Sequence, residues 1–378
     1  YREVPDLVAR ICGICPVAYQ MSAVHAIEHA FGGDPGPWVR AMRRLYYCGE
    51  WMQSHSLHIH LLAAPDFLGY PSVLAMAKAF PDEVRRGLAL QGLGNALIRL
   101  LGARSVHPVG ARVGGFWRAP ESEEAQALLK RLEEAVPLAE SLVAWTASLN
   151  LPAVEQPFTC VALRHPGEYP MNAGRIASDA GLDIAVEDFE RHVREHQVPY
   201  STALHAHLDG RPYLVGPLAR INLNAGQLHP EVRRGLAATG IAFPSRNMYH
   251  SIVARAAEIH YAVLEAIRLL EDYRRPDTPY AELPPRAGAG FGATEAPRGL
   301  LWHRYELDGQ GVVTQARIVP PTSQNQARIE EDLRLSLERA GLDSDEDTLR
   351  RTGEMVIRNY DPCISCATHF LTLRLHRQ

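Results

Sequence analysis

RICGIC (Arg10–Cys15) stands near the start of the sequence, and DPCISCATH (Asp361–His369) stands near its end. Each segment contains a Cys-x-x-Cys pair, so four of the six cysteines lie in two pairs that almost the whole chain separates. Two thiolates at this spacing can bind one soft metal ion without backbone strain. Cys15 and Cys363 are 348 positions apart, whereas the pairs of a structural zinc ribbon lie about 15–20 residues apart. If the pairs meet, a metal ties both chain ends together at the centre of the fold.

The spacing alone leaves three interpretations open: a buried catalytic metal, a structural zinc site, or two separate dithiol/disulfide pairs. The flanking residues favour catalysis. Arg10 and Asp361 each stand two positions before the first cysteine of a pair, and His369 follows the second pair by three positions. Charged groups this close to thiolates change the pKa of the ligands or handle protons.

The composition excludes several classes of protein. The 378 residues are 46% hydrophobic and 22% charged, and the net charge is −4 with both signs well mixed, which argues against a nucleic-acid surface. No apolar run of about 18 residues predicts a membrane span, and no signal-peptide pattern is present. Six cysteines are too few for a disulfide scaffold. We therefore predict a cytoplasmic protein, and because the chain begins with Tyr1 rather than Met we expect a missing N-terminal segment.

The periodicity of apolar residues predicts a mainly α-helical chain with small β-sheets, an α+β fold built on a bundle of long helices. We interpret residues 1–378 as a single domain, because no composition shift marks a boundary. Strand-like pieces (FTCVAL and RPYLVG) occur within 151–230, residues 276–299 read as a Pro/Gly-rich loop, and DGQG predicts a hairpin between LLWHRYEL and VVTQARIV. The predicted helices are approximately 16–31, 38–62, 81–101, 123–149, 247–273, 324–339 and 343–358.

The two cysteine segments resemble the RxCGxC and DPCxxCxxH signatures of the nickel–iron hydrogenase large subunit, in order, spacing and position. The resemblance extends over the whole chain. Within the family, the chain most resembles the cytoplasmic, bidirectional, NADP-linked group, to which sulfhydrogenase alpha subunits belong. The resemblance therefore implies the large-subunit fold of that family. Further matching stretches are SHSLHIHLLAAPDF (54–67), RSVHPVGARVGGF (104–116), YLVGPLARINLN (213–224), APRG (296–299) and PPTSQNQ (320–326).

The resemblance implies a nickel–iron centre held by four thiolates. Cys12 and Cys363 would be terminal ligands of nickel, and Cys15 and Cys366 would bridge nickel to iron. The iron would carry one carbon monoxide and two cyanide ligands. This centre splits dihydrogen heterolytically into hydride and proton, and a nearby base such as the Cys363 thiolate accepts the proton.

Other site residues follow from the same resemblance. Arg298, after Pro297, would lie over the open face of the metals and bond one cyanide, with Asp361 beside it. Thr322, after Pro321, would bond the other cyanide. His369 would bind a magnesium ion.

The chain also departs from the family pattern. The glutamate partner of that magnesium ion and the glutamate of the N-terminal RxEG motif would precede the first cysteine motif and are not in the sequence. Tyr19 stands where a histidine is common, and Ser54 stands where an aspartate is common. These departures affect the expected proton and hydrogen-bond details but not the four thiolates.

The resemblance also implies partners. The chain has no spare cysteines for iron–sulfur clusters, so electrons would leave through an iron–sulfur small subunit docked near the first cysteine motif and the His55 helix, and then reach flavin- and NAD(P)-binding subunits. Maturation chaperones and a C-terminal protease would load the metals. Residues 370–378 still follow His369, so the chain is either an unprocessed precursor or a variant that is never cleaved.

Two other functions remain open, a metal-free relative of the quinone-site subunit of respiratory complex I, and a hydrogen-sensing regulatory protein. The former typically lacks the four cysteines. Cys48 and Cys160 are predicted to be inert core thiols. His55, His58 and His60 are predicted at a helix–helix or subunit interface, although a metal or proton role is also possible for them. His107 either lines the site or only shapes its loop.

Overall fold

The computed structural model describes residues 1–362, and α-helices make up most of its regular structure. A π-helix, His58–Ala63, continues α3 without a break. The helices are α1 Val4–Val8, α2 Pro16–Phe31, α3 Pro37–Leu57, α4 Ala64–Phe67, α5 Val73–Ala79, α6 Pro81–Gly102, α7 Ser122–Ser148, α8 Phe189–His192, α9 Pro217–Asn224, α10 Pro230–Ala238, α11 Ser251–Glu271, α12 Pro321–Ala340 and α13 Glu346–Asn359.

The strands form small antiparallel sheets around the helices. β1 pairs with β2, β6 pairs with β7, and β3, β4 and β5 form a sheet in that order. The longest strands form a sheet of order β10-β9-β8. Their bounds are β1 Ala111–Arg112, β2 Gly115–Phe116, β3 Val161–Arg164, β4 Arg175–Ser178, β5 Asp183–Ile184, β6 Val193–Gln197, β7 Leu204–Leu208, β8 Gly288–Ala296, β9 Gly299–Leu307 and β10 Val313–Val319.

The long helices pack around α3. This helix contacts α6 and α11, and α11 contacts α7, so that the four helices share one apolar core. α2 begins at Pro16, where proline costs no hydrogen bond. Gly32, which follows its last residue and has a φ of +66°, caps its C-terminus. A second, smaller core lies between β3, β4 and the β8–β9 strands around Trp302 and Phe189, whose rings stack.

The predicted mainly α-helical fold is confirmed, and each of the seven predicted helices has a counterpart. The helix predicted at 38–62 is α-helical only as far as Leu57. Its last turn is instead the π-helix that carries His58 and His60. The predicted hairpin is also present as β9 and β10. The single-domain interpretation stays a prediction. Within residues 1–362, no helix has both the length and the apolar character needed to cross a bilayer.

The prediction of a loop over 276–299 is wrong for its second half, which forms β8. This strand is rich in glycine because it lies directly on α2. A Cβ atom at Gly290 would come within 1.9 Å of the Ala26 carbonyl oxygen, and one at Gly292 within 2.3 Å of the Ser22 carbonyl oxygen. The sequence pattern also missed the β6–β7 hairpin, and RPYLVG contributes two isolated bridges, Cys160 to Leu214 and Leu208 to Arg211, instead of a strand.

We predict that His303 makes the stability of the protein depend on pH. It is fully buried on β9, and burial lowers its pKa from 6.5 to about 3. In the unfolded chain His303 binds a proton near pH 6.5, whereas in the folded chain it stays neutral at that pH. His303 therefore destabilises the fold as the pH falls below 6.5. Between pH 7 and pH 4, the parent protein should therefore lose roughly 3 kcal/mol more free energy of unfolding than His303→Gln loses.

Urea unfolding across this pH range measures the effect, and His229→Gln at an exposed position is the control. A difference that does not change with pH would contradict the prediction.

Candidate metal centre

The first cysteine pair lies in the loop between α1 and α2. Cys15 is the residue directly before α2, and its backbone N–H donates to Cys12 Sγ over 3.2 Å. The two sulfur atoms lie 2.7 Å apart, and the residues are only 7% and 4% exposed. Two thiol groups therefore point into the same buried space, as expected for two ligands of one metal site.

A buried carboxylate holds the start of α2. Cys15 makes no side-chain capping bond, and Pro16 has no N–H, so the first free amides of the helix belong to Val17 and Ala18. Both donate to the carboxylate of Glu50 on α3, over 2.6 and 3.0 Å. Burial raises the pKa of Glu50 well above its usual value, and these two amides act in the opposite direction. Glu50 thus joins the first cysteine pair to the central helix.

Arg298 and Asp361 form an ion pair beside this space. Arg298 lies in the turn between β8 and β9, and its Nη2 donates to Asp361 Oδ1 over 2.9 Å while its Nε donates to the Asp361 carbonyl oxygen. Both residues are buried. Asp361 has a φ of +54°, a left-handed conformation that aspartate tolerates better than most residues. The pair therefore fixes the chain two residues before Cys363.

The charges of the site act on one another. Burial raises the pKa of Asp361, Arg298 and Arg255 lower it, and a negative charge on Cys12 raises it. Burial lowers the pKa of Arg255 to about 10, and the nearby carboxylate of Asp361 limits that shift. Asp361 and the first cysteine pair are therefore within electrostatic reach of each other.

A larger buried ion cluster lies behind Arg298. Arg220 on α9 pairs with Glu258 on α11 and with Glu295 on β8, and all three are inaccessible to solvent. Burial favours the neutral form of Glu258, but Arg220 and His55 lower its pKa to about 2. Burial and the shared cation act in opposite directions on Glu295, and the net effect raises its pKa. Glu258 is therefore ionised at pH 7 in its pair with Arg220.

The other predicted cyanide-binding residues lie at the start of α12. Pro321 and Thr322 form its first turn. Gln324 donates to the Leu300 carbonyl oxygen over 2.6 Å, and Asn325 exchanges two hydrogen bonds with the backbone of Val215. These bonds tie the helix to β9 directly after Arg298 and to the segment that precedes α9. Cys363, Cys366 and His369 lie outside the described residues.

The interface prediction for the three histidines is confirmed, because all are buried among helices. His55 donates to Glu258 over 2.9 Å, and His58 donates from Nε2 to the Arg358 carbonyl oxygen over 2.8 Å. His60 stacks on Trp145 with ring centroids 5.6 Å apart. Burial lowers the pKa of His55 and of His60 to about 4, so both rings are neutral at pH 7.

His107 and the two residues that depart from the family pattern also have defined positions. His107 lies in the loop after α6 with a φ of +46°, and its Nδ1 bonds the Ala9 carbonyl oxygen over 2.8 Å. It therefore ties this loop to the segment before the first cysteine motif. Ser54 and Tyr19 are both buried, on α3 and α2.

The prediction that Cys48 and Cys160 are core thiols is confirmed. Both are fully buried, and burial raises the pKa of each, in Cys160 to about 12. A thiol with such a pKa is a poor metal ligand and a poor nucleophile at pH 7.

Sequence reasoning missed five charged residues of the site, and their signal was partly visible. Arg220 lies in YLVGPLARINLN, one of the stretches that carry the resemblance. Arg255 and Glu258 interrupt an otherwise apolar helix, which is unusual unless charged residues are paired inside the protein. Glu50 and Glu295 gave no comparable signal.

The described part of the chain fits half of a nickel–iron site. Within residues 1–362, no group of three or more His, Cys, Asp or Glu side chains is arranged to hold a metal ion. Cys12 and Cys15 supply two converging, buried sulfur atoms, and sulfur is the donor that soft transition metals prefer. The donor set therefore suits nickel and iron if two further thiolates complete it.

Comparison with known proteins gives a consistent result. The family described as nickel-dependent hydrogenase matches residues 1–88 and 185–369. The alpha subunit of sulfhydrogenase 1 from Pyrococcus furiosus is 35% identical over 375 residues, which cover 98% of this chain and 87% of the relative. The matching chain of an F420-non-reducing hydrogenase from Methanothermobacter thermautotrophicus is 32% identical, over 97% of this chain and 84% of the relative.

Among solved structures, an NAD+-reducing [NiFe]-hydrogenase in the H2-reduced state superimposes with a TM-score of 0.85. The two chains are 27% identical, and the match covers 98% of this chain and 89% of the other.

We predict that Glu50 holds the first cysteine pair in place. Glu50→Leu leaves the amides of Val17 and Ala18 buried without acceptors, which should lower the free energy of unfolding by about 2–4 kcal/mol. It should also speed alkylation of Cys12 and Cys15, located by mass spectrometry in the metal-free protein. Glu50→Gln retains one acceptor oxygen and is the matched control, with a smaller loss. Equal alkylation rates in the protein and in Glu50→Leu would contradict the prediction.

Proposed function

This chain belongs to the nickel-dependent hydrogenase family as a large catalytic subunit, and we propose that it oxidises dihydrogen reversibly at a centre held by Cys12, Cys15, Cys363 and Cys366. The observation that carries the proposal is the convergence of the Cys12 and Cys15 sulfur atoms beside the Arg298–Asp361 ion pair.

We assign the ligands as follows. Cys12 and Cys363 would hold nickel as terminal ligands, and Cys15 and Cys366 would be shared between nickel and iron. The convergence of the first two sulfur atoms in one buried space supports a shared metal site. Asp361 supports the other half of the assignment, because it interacts electrostatically with Cys12 and stands two positions before Cys363.

When bound, the nickel–iron centre supplies heterolytic cleavage of dihydrogen, which yields two protons and two electrons overall. In the proposal, Cys363 Sγ accepts the first proton. Arg298 places a permanent positive charge over the site, and Asp361 holds its guanidinium by the 2.9 Å ion pair. A fixed charge in a buried site stabilises charge separation more than it would in water.

The iron would carry one carbon monoxide and two cyanides as its remaining ligands. Pro297 and Arg298 line the pocket of one cyanide, and Pro321 and Thr322 line that of the other. Support for the second pocket comes from Gln324, which ties the start of α12 to Leu300, two residues after Arg298. His369 binds a magnesium ion.

Electrons leave, in the proposal, through an iron–sulfur subunit, and flavin subunits then carry them to NAD(P). The superimposed hydrogenase, which is NAD+-reducing by name, supports this acceptor. NAD(P) is a coenzyme of the cytoplasm, so we place the enzyme there. Maturation chaperones and a C-terminal protease act on the chain before this complex forms.

The iron–sulfur subunit is proposed to dock on an apolar face made of Leu7, Ile11 and Val106. These residues are 68%, 54% and 56% exposed, unusual values for large apolar side chains. Leu7 precedes the first cysteine motif, Ile11 lies within it, and Val106 lies in the loop that His107 ties to Ala9. A partner at this face lies next to the metal centre, where electrons must leave.

We predict that Cys366→Ser cannot assemble the bimetallic centre, because serine is a hard ligand and a poor bridge between two soft metals. Infrared bands of carbon monoxide and cyanide should be absent, and dihydrogen uptake should be lost. Cys160→Ser is the matched control, since that thiol is buried elsewhere, and it should keep both. Full dihydrogen uptake by Cys366→Ser would defeat the proposal.

We predict that Leu7→Asp weakens binding of the iron–sulfur subunit by about 10- to 100-fold, because a carboxylate in an apolar interface must lose its water. Isotope exchange between dihydrogen and deuterated water needs no electron transfer and should persist. Reduction of NAD(P) should fall at limiting partner concentration. Leu138→Asp on α7, at a position 37% exposed, is the control. Unchanged partner affinity in Leu7→Asp would contradict this location.

A further inference from the structure

We infer that Arg220 is a positioning residue, which fixes the backbone that carries Arg298 and thereby sets where the Arg298 guanidinium lies. The inference rests on the proposed function in one respect only, the role of Arg298 over the metals. It assigns Arg220 no contact with dihydrogen or with the metals.

All five N–H donors of the Arg220 guanidinium are used. Two of them donate to the carboxylate of Glu258, from Nε over 2.7 Å and from Nη2 over 2.6 Å. A third donates from Nη1 to Glu295 over 3.0 Å. The last two donate to the carbonyl oxygens of Ala296, over 2.8 Å, and of Pro297, over 3.0 Å. Ala296 and Pro297 directly precede Arg298 in the chain. The Arg220 guanidinium therefore bonds the backbone that leads into Arg298.

The guanidinium is itself immobile. Trp51 lies beneath it, with the ring centroid 4.6 Å from the Arg220 carbon atom Cζ. Glu258 is held by His55 over 2.9 Å and by the hydroxyl of Tyr169 over 2.7 Å. Burial alone would lower the pKa of Arg220, but Glu258 and Glu295 raise it, so the charge persists at every physiological pH. A planar, permanently charged group with five satisfied donors defines one geometry.

The turn that follows makes this anchor effective. Gly299 has a φ of +136°, and a Cβ atom there would lie 2.5 Å from Val215 Cγ2 and 2.8 Å from the Gly216 amide nitrogen. Val215 and Gly216 precede α9, the helix that carries Arg220. The turn at 296–299 is therefore pressed against this segment on one side and bonded to Arg220 on the other. From this fixed backbone the Arg298 side chain bonds Asp361.

Lysine cannot replace arginine here. Its ammonium is a single point with three donors, so it cannot bond two carboxylates and two carbonyl oxygens at once. Arg220→Lys keeps the positive charge and frees the backbone of Ala296 and Pro297. Arg43→Lys is the matched control, because Arg43 is also buried, bonds Glu28 with both Nη atoms, and makes no bond to the 296–299 turn.

The first measurement is hydrogen–deuterium exchange of the metal-free chain. Peptides that span 296–301 should exchange at least about tenfold faster in Arg220→Lys than in the parent protein, and at the parent rate in Arg43→Lys. The second is the infrared spectrum of the metal-loaded enzyme, in which Arg220→Lys should shift the cyanide bands and Arg43→Lys should not. The turnover rate for dihydrogen should fall by about 10- to 100-fold, as expected for a misplaced catalytic group.

A double-mutant cycle with Arg298→Lys decides whether Arg220 acts through Arg298. If it does, adding Arg220→Lys to Arg298→Lys should change the remaining turnover rate by less than about twofold. The cyanide bands of the double variant should lie where those of Arg298→Lys lie. Independent, multiplicative losses would overturn the inference, and so would unchanged exchange at 296–301. If the parent protein itself shows no cyanide bands and no dihydrogen uptake, the proposed function fails, whereas the exchange experiment still tests the anchor.

Discussion

The buried ion pair between Arg298 and Asp361 is the contact on which the candidate site depends. It connects the turn between β8 and β9 to the point where the chain is two residues from Cys363. Asp361 is also within electrostatic reach of Cys12. One contact therefore joins the turn between β8 and β9 to the approach to the second cysteine pair, within electrostatic reach of the first. The remaining polar contacts of the region hold this arrangement in place.

The interior of the protein carries an unusual amount of charge for a mainly helical core. Arg220, Glu258 and Glu295 form one buried cluster of ion pairs. Arg255 and Glu50 are also buried, and within residues 1–362 neither forms an ion pair with this cluster. Such groups contribute little net stability, because their desolvation offsets much of the attraction. Their value lies in geometry, since each bond restricts the position of a neighbour. Glu50 restricts the first cysteine pair, and Arg220 restricts the turn before Arg298.

The sequence predicted the long helices well because their apolar periodicity and their Pro and Gly boundaries are local signals, as Pro16 and Gly32 illustrate for α2. β8 was missed because its small residues carry no strand pattern, and its conformation comes from pairing with β9 and from contact with α2. At the site, the cysteine motifs, Arg298 and Asp361 were predicted because they lie in short, specific motifs. The roles of their anchors, Arg220 and Glu50, could not be assigned, since a sequence does not show which groups a buried Arg or Glu contacts.

The central claim is that four sulfur atoms from the two ends of the chain bind one nickel ion beside iron. X-ray absorption at the nickel edge of the purified, metal-loaded protein tests this claim most directly, because it counts the atoms around nickel by element. Our account predicts sulfur from all four cysteines and one iron neighbour. Nickel surrounded by nitrogen and oxygen, or by two sulfur atoms with no iron neighbour, would contradict it.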